Sequence, residues 1–169
     1  METRFDVGQI LEIAARLEHN GALFYIKAAA RFGDRQRREL CMALADWRSG
    51  RQAALRKLKE QFYEQHAKTE QSDSDDYFQI HPDVMADLAV FSNKLYPRHS
   101  PTGKENPSRI IEDAIERTDE AIAFYRGLKD FARNREARAA LDKIIAEERA
   151  YMRVLAKSPF SPEGISYNP

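Results

Sequence analysis

The chain has one cysteine, Cys41, and only seven prolines and seven glycines among its 169 residues. A single cysteine excludes a framework of intramolecular disulfides and is typical of a protein in a reducing cytoplasm. Few prolines and glycines, together with 32% charged residues, favour long solvated helices over a fold rich in turns. The length is that of one domain, large enough to bury a core.

The chain also lacks net charge and long apolar runs. Lys plus Arg and Asp plus Glu number 27 each, so no overall field favours nucleic acid or an acidic membrane. No apolar run approaches the roughly 20 residues that span a bilayer, and the first residues lack the order of a signal peptide. We predict a cytoplasmic protein without a nucleic-acid or membrane partner. A protein without net charge is little protected against self-association, so we also expect a homodimer. The sequence indicates no other particular protein partner.

What the chain does contain is an internal repeat at an offset of 100 residues. Ile10-Leu11-Glu12 recurs as Ile110-Ile111-Glu112, and Phe24-Tyr25 recurs as Phe124-Tyr125. A register held over two helix lengths indicates a duplicated helical hairpin. Two hairpins supply four helices around one apolar seam, which predicts an all-α bundle.

Apolar periodicity and capping residues predict where the helices lie. The first helix is expected from about residue 6 to residue 30, and Asp34 caps a second that ends near residue 65. Asn106-Pro107 begins the third helix and Asn134 the fourth, which Ser158-Pro159 ends. We therefore divide the single domain 1–169 into a hairpin 6–66, a crossover 67–106, a second hairpin 107–157 and a tail 158–169.

The crossover is long for a compact domain, but it suits a bundle in which one long connection lets the second hairpin lie against the first. Within it, His81-Pro82 is expected to begin a short helix that Pro97 ends. Elsewhere we expect Tyr25 and Tyr125 to be core aromatics with hydrogen-bonded hydroxyls, and Cys41 to be a small buried apolar residue.

Six polar positions break the apolar pattern of the four helices. The repeat relates the first helix to the third and the second to the fourth, so the positions form equivalent pairs. They are Glu18 and Thr118, Arg48 and Glu148, and Arg51 and Tyr151. Arg51 falls between Trp47 and Leu55 in the apolar row of the second helix.

These positions lie in segments that resemble a known family. The run LEHNGALFY, residues 17–25, resembles the first helix of rubrerythrin-like members of the ferritin-like superfamily, and IIAEERAY, residues 144–151, resembles their last. Residues 112–125 resemble the third helix, so the resemblance covers most of the chain. It implies a ferritin-like four-helix bundle that holds two non-haem irons for oxygen or peroxide reduction. The iron ligands are one Glu from each of helices one and three and a Glu-x-x-His pair from each of helices two and four.

Carried over onto this sequence, the implied ligand set is mostly replaced. Glu18 matches the helix-one ligand and Glu148 the helix-four carboxylate. The other four positions hold Thr118, Tyr151, Arg48 and Arg51, and the chain contains no Glu-x-x-His. Two surviving carboxylates are too few to hold a pair of irons.

An arginine could instead neutralise the two leftover acids, because a guanidinium can bridge carboxylates. We hypothesise that Arg48 or Arg51 bridges Glu18 and Glu148. In a simpler version, the Arg48 side chain turns toward solvent and only Arg51 reaches the two acids. The residues then predict a catalytically inactive scaffold or binding protein without a cofactor. The alternative that the resemblance implies is a non-haem oxidoreductase, with iron or another divalent metal at Glu18 and Glu148. A third interpretation, a mononuclear metal enzyme, would need ligands from the crossover.

Overall fold

The structure, a computed structural model, describes residues 4–67, residue 91 and residues 101–161. These residues form four α-helices, which we number α1 (Val7–Ala29), α2 (Arg35–His66), α3 (Pro107–Leu128) and α4 (Arg135–Ala156). A single 3₁₀ turn, Lys129–Phe131, joins α3 to α4. The predicted all-α four-helix bundle is thus confirmed, whereas the predicted crossover helix that begins at His81-Pro82 lies outside the described residues.

The residues that cap the helix starts also recur at the offset of 100 residues. Asp6 and Asn106 cap α1 and α3, and their side chains accept hydrogen bonds from the third backbone N–H of each helix, both at 2.8 Å. Asp34 and Asn134 do the same for α2 and α4, at 3.1 and 2.8 Å. These carboxylate and amide oxygens satisfy backbone donors that have no partner within the helix. The predicted starts are therefore correct to within one residue.

The helices pack first as hairpins, α1 along α2 and α3 along α4, and the two hairpins meet at a shared core. An isolated β-bridge between Phe5 and Ala132 ties the segment before α1 to the turn between α3 and α4. Its two hydrogen bonds measure 2.7 and 2.8 Å. Among the residues just defined, no helix is long and apolar enough to cross a membrane.

The apolar face of α2 is narrower than its sequence suggests. The buried residues of this helix are Cys41, Leu44, Ala45, Arg48 and Leu55. Leu58 is the next leucine along α2 but is 38% exposed. It lies one turn beyond Leu55, yet three residues advance only about 300° around a helix, which rotates it toward solvent. Arg48 lies in the middle of this buried face.

Candidate functional site

Four side chains, one from each helix, meet in the centre of the bundle. They are Glu18 of α1, Arg48 of α2, Thr118 of α3 and Glu148 of α4, and none is more than 1% exposed. We call them the Arg48 cluster. The repeat relates Glu18 to Thr118 and Arg48 to Glu148, so the cluster consists of two pairs of equivalent positions.

The guanidinium of Arg48 holds the cluster together. Its Nη1 donates to both acids, with distances of 3.1 Å to Glu18 Oε2 and 3.3 Å to Glu148 Oε2. Its Nη2 donates to the hydroxyl oxygen of Thr118 at 3.1 Å. Thr118 uses its own proton on the carbonyl of Ala114, at 2.7 Å, which leaves the hydroxyl oxygen able to accept. One side chain of α2 thus binds the other three helices.

Aromatic rings surround the same guanidinium. The Arg48 Cζ atom lies 5.0 Å from the ring centre of Trp47, 5.2 Å from Phe91 and 5.6 Å from Tyr151. Trp47 and Tyr151 are stacked, with ring centres 3.4 Å apart. Such rings stabilise a cation through their quadrupoles and keep water away from it. Phe91, from the predicted crossover, also contacts the guanidinium, and sequence reasoning did not assign it to the site.

A glycine makes room for this arrangement. A Cβ atom on Gly21 would lie 2.9 Å from Phe91 and 3.2 Å from the Cδ atom of Arg48. Both contacts are closer than an ordinary van der Waals separation. The absence of a side chain on this inner face of α1 therefore lets the arginine stem and the phenyl ring approach together.

The electrostatics of the cluster follow from its burial. Burial raises the pKa of Glu18 to about 8; the adjacent Glu148 acts in the same direction and Arg48 opposes both. Burial alone would lower the pKa of Arg48, but the two carboxyl groups more than offset this and raise it above its ordinary value. With its pKa raised, Glu18 holds a proton near pH 7, which reduces the negative charge opposite the Arg48 guanidinium.

Arg51 lies outside the cluster. Its Nη1 pairs with Glu147 on α4, and the two side chains are 15% and 39% exposed. The version in which Arg48 turns outward and Arg51 alone reaches the acids is therefore wrong. Residue 48 lies in the middle of the buried face of α2, which also contains Cys41, Leu44, Ala45 and Leu55. Residue 51 lies at the edge of that face, on the side of Glu147.

The tyrosines differ from expectation in one respect. Tyr25 and Tyr125 are buried core residues as predicted, 3% and 0% exposed, and burial raises the pKa of both phenols far above the ordinary value. Within the part of the chain that the structure describes, neither hydroxyl has a hydrogen-bond partner in the protein, which differs from the expected pairing. Burial also raises the pKa of Tyr151 to about 12. This phenol stacks on Trp47.

The donor set does not fit a pair of irons. Di-iron sites of this fold are built from four carboxylates and two imidazoles, and the Arg48 cluster brings together two carboxyl groups, a hydroxyl and a cation. Residues 4–67, 91 and 101–161 include no group of three or more His, Cys, Asp or Glu side chains placed to hold a metal. The Arg48 guanidinium contacts both acids at the point where a metal would have to bind them. Ligands from the crossover, which the mononuclear interpretation requires, fall largely outside the described residues.

Comparison with known proteins supports the fold. No protein-family model matches the chain, and no curated protein sequence does. The chain is similar to the crystal structure of a candidate ferritin-like diiron-carboxylate protein from Thermotoga maritima, with a TM-score of 0.50 and 22% sequence identity. The match covers 93% of this chain and 96% of that one. At this identity the likeness concerns the fold alone, and the chain accordingly has the ferritin-like four-helix fold.

Proposed function

We propose that this chain is a rubrerythrin-like bundle whose di-iron site has degenerated into an ion-pair cluster, and that it is a catalytically inactive scaffold or binding protein. The observation that carries the proposal is the position of Arg48. Its guanidinium lies against both surviving acids, within hydrogen-bond distance of Glu18 and Glu148. A fixed cation from the protein thus takes the role that a bound cation has in di-iron relatives.

The energetics of the cluster favour this interpretation. A metal that binds Glu18 and Glu148 would have to displace the guanidinium of Arg48, which cannot lose its proton at any physiological pH. The displaced charge would remain in a core where Arg48 is 1% exposed. Leaving a buried charge without its partners costs several kcal/mol, and metal binding would have to offset that cost.

The alternative, a non-haem oxidoreductase with a residual metal, rests on the two acids that lie side by side at the centre. Metal analysis of protein purified without chelator separates the two functions. We expect much less than one metal ion per chain, and a melting temperature that a chelator leaves unchanged. About two irons per chain, with a melting temperature that the chelator lowers, would contradict the proposal.

The repeat supplies a positive control for this assay. The double variant Arg48→Glu/Thr118→Glu places a carboxylate at all four positions of the cluster, the oxygen donors that hard divalent cations prefer. We expect this variant to take up iron or manganese under conditions in which the natural chain does not. Equal uptake by both proteins would show that Arg48 does not keep metal out.

Partners and location remain proposals. We propose a homodimer, for which Leu23 and Ile26 offer an apolar surface on α1, being 40% and 44% exposed. Residues spaced by three on a helix share a face, so the two side chains can act together. The absence of nucleic-acid and membrane partners and the cytoplasmic location stay predictions.

A further inference from the structure

The ring of Phe91 lies in a slot that the helices of the bundle provide. The wall of this slot comes from α1, α2 and α3 and includes Gly21, Phe24, Tyr25, Arg48 and Arg117. We call it the Phe91 slot. Phe91 is 7% exposed, although it belongs to the crossover and to none of the four helices. The bundle therefore encloses an aromatic ring that comes from outside its helices.

The shape of the slot fits a phenyl ring. A Cβ atom on Gly21 would lie 2.9 and 3.0 Å from two ring atoms of Phe91, so the missing side chain leaves space that the ring fills. The ring centres of Phe24 and Tyr25 lie 5.8 and 6.1 Å from that of Phe91, with the ring planes inclined by 51° and 70°. These separations and inclinations are typical of favourable aromatic pairs.

The charges in the wall favour an aromatic ring over a saturated group. The Cζ atoms of Arg48 and Arg117 lie over the ring of Phe91, at 5.2 and 5.9 Å from its centre. A guanidinium within about 6 Å of a ring centre is attracted to the negative potential of the ring face, and the attraction is stronger where water is excluded. Both arginines are buried, at 1% and 4% exposure. The slot therefore suits a ring with an electron-rich face.

Both guanidinium groups are held in place by partners other than the ring. Arg48 is bound by the other three members of the Arg48 cluster. Arg117 donates to Asp113 at 2.8 Å and lies 4.0 Å from the ring centre of Phe24. Carboxylates thus fix both charges, and the slot is preorganised for its occupant.

We propose that the Phe91 slot is a binding site for an electron-rich aromatic ring of phenyl size, which the chain fills with its own Phe91. The two guanidinium groups recognise the ring face, and Gly21 sets the space available to it. The inference goes beyond the proposed function, because no carboxyl group of the Arg48 cluster acts as a ligand of the ring. Ring binding and metal content are measured separately, so failure of one is distinguishable from failure of the other.

Emptying the slot tests the proposal by chemical rescue. Benzene, fluorobenzene and 1,3,5-trifluorobenzene are titrated calorimetrically into the full chain carrying Phe91→Ala, and the melting temperature is followed. The three molecules differ little in shape, but fluorine withdraws charge from the ring face. We expect benzene to raise the melting temperature and to bind about fivefold more tightly than the trifluoro compound, with fluorobenzene between them. Equal affinities, tighter binding of the fluorinated rings, or no binding would overturn the proposal.

Arg117→Met is the matched control for the charge. In the Phe91→Ala chain it removes one guanidinium and keeps an apolar side chain at that position. The preference for benzene over the trifluoro compound should then fall to about twofold, because only Arg48 remains over the ring. An unchanged preference would contradict recognition of the ring by both guanidinium groups.

Gly21→Ala tests the shape of the slot by a change of sign. In the natural chain it should lower the melting temperature, because its methyl group meets the Phe91 ring. In the Phe91→Ala chain it should leave the melting temperature unchanged or raise it, since alanine favours a helix more than glycine does. Equal losses in both chains would contradict the contact between Gly21 and the ring.

A substitution that keeps the slot filled tests the same preference if the Phe91→Ala chain does not fold. Replacing Phe91 with 3,4,5-trifluorophenylalanine retains the ring but weakens the negative potential of its face. We expect a lower melting temperature than that of the natural chain. An unchanged or raised melting temperature would overturn the proposal.

Discussion

Replacing Arg48 with alanine is expected to lower the free energy of unfolding by about 3–5 kcal/mol. The substitution leaves Glu18 and Glu148 in a dry core without their cation and removes the donor to Thr118. It also removes the guanidinium that lies over the rings of Trp47 and Phe91. Chemical denaturation followed by circular dichroism measures the change. A loss below about 1 kcal/mol, the range of an exposed ion pair, would show that the cluster does not stabilise the fold.

Arg51→Ala is the matched control for this measurement. Arg51 lies three residues away on the same helix, but it pairs with the partly exposed Glu147 rather than with the central acids. We expect Arg51→Ala to lower the free energy of unfolding by no more than about 1 kcal/mol through loss of this ion pair. Arg48→Met is informative in a different way, because an apolar replacement of a buried ion pair can be neutral. Only the alanine variant tests whether the acids need the guanidinium.

Lowering the pH from about 8 to about 5 is expected to stabilise the protein through Glu18. The pKa of this acid is about 8 in the folded chain and 4.5 in the reference state, so the folded protein holds an extra proton between these values. The stabilisation is complete below pH 4.5 and is lost as the pH rises through 8. The free energy of unfolding then changes by at most about 1.4 kcal/mol per pH unit. Most buried salt-bridged acids have lowered pKa values and show the opposite trend.

The comparison variant is Glu18→Gln, which mimics the protonated acid. Subtracting its stability curve from that of the natural chain cancels the contributions of all other titrating groups. We expect the difference to favour the glutamine variant increasingly from pH 5 to pH 8 and then to level off. A difference that stays flat over this interval would mean that Glu18 is ionised throughout.

The fold was largely predictable because its determinants are local and duplicated. The caps at Asp6, Asp34, Asn106 and Asn134 repeat at the same offset as the apolar stripes, and they mark the helix starts to within one residue. The crossover helix is the exception, since it falls on residues that the structure does not describe. Helix count and pairing therefore follow from periodicity and short-range hydrogen bonds alone.

The site was predictable only in part. Equivalence under the repeat identified Glu18, Arg48, Thr118 and Glu148, but it could not decide between Arg48 and Arg51. A long flexible side chain at either position can reach the seam, and the choice depends on a few tens of degrees of rotation about α2.

The energetics of the Arg48 cluster explain how two acids and a guanidinium are accommodated in the core. A buried ion pair adds little net stability compared with apolar packing, yet losing one partner is costly. Once Arg48 is present, Glu18 and Glu148 are therefore held in place by the cost of leaving it unpaired. The hydrogen bonds from Arg48 to three helices also specify how the hairpins meet. A planar guanidinium with fixed donors suits this role better than the flexible ammonium of a lysine.

The most direct measurement is anomalous diffraction from crystals grown with excess iron or manganese. We predict no anomalous peak between Glu18 and Glu148, and continuous density for the Arg48 guanidinium within hydrogen-bond distance of both acids. A strong peak between the two carboxylates, with the arginine turned toward solvent, would contradict the central claim that this side chain has taken the place of the metal.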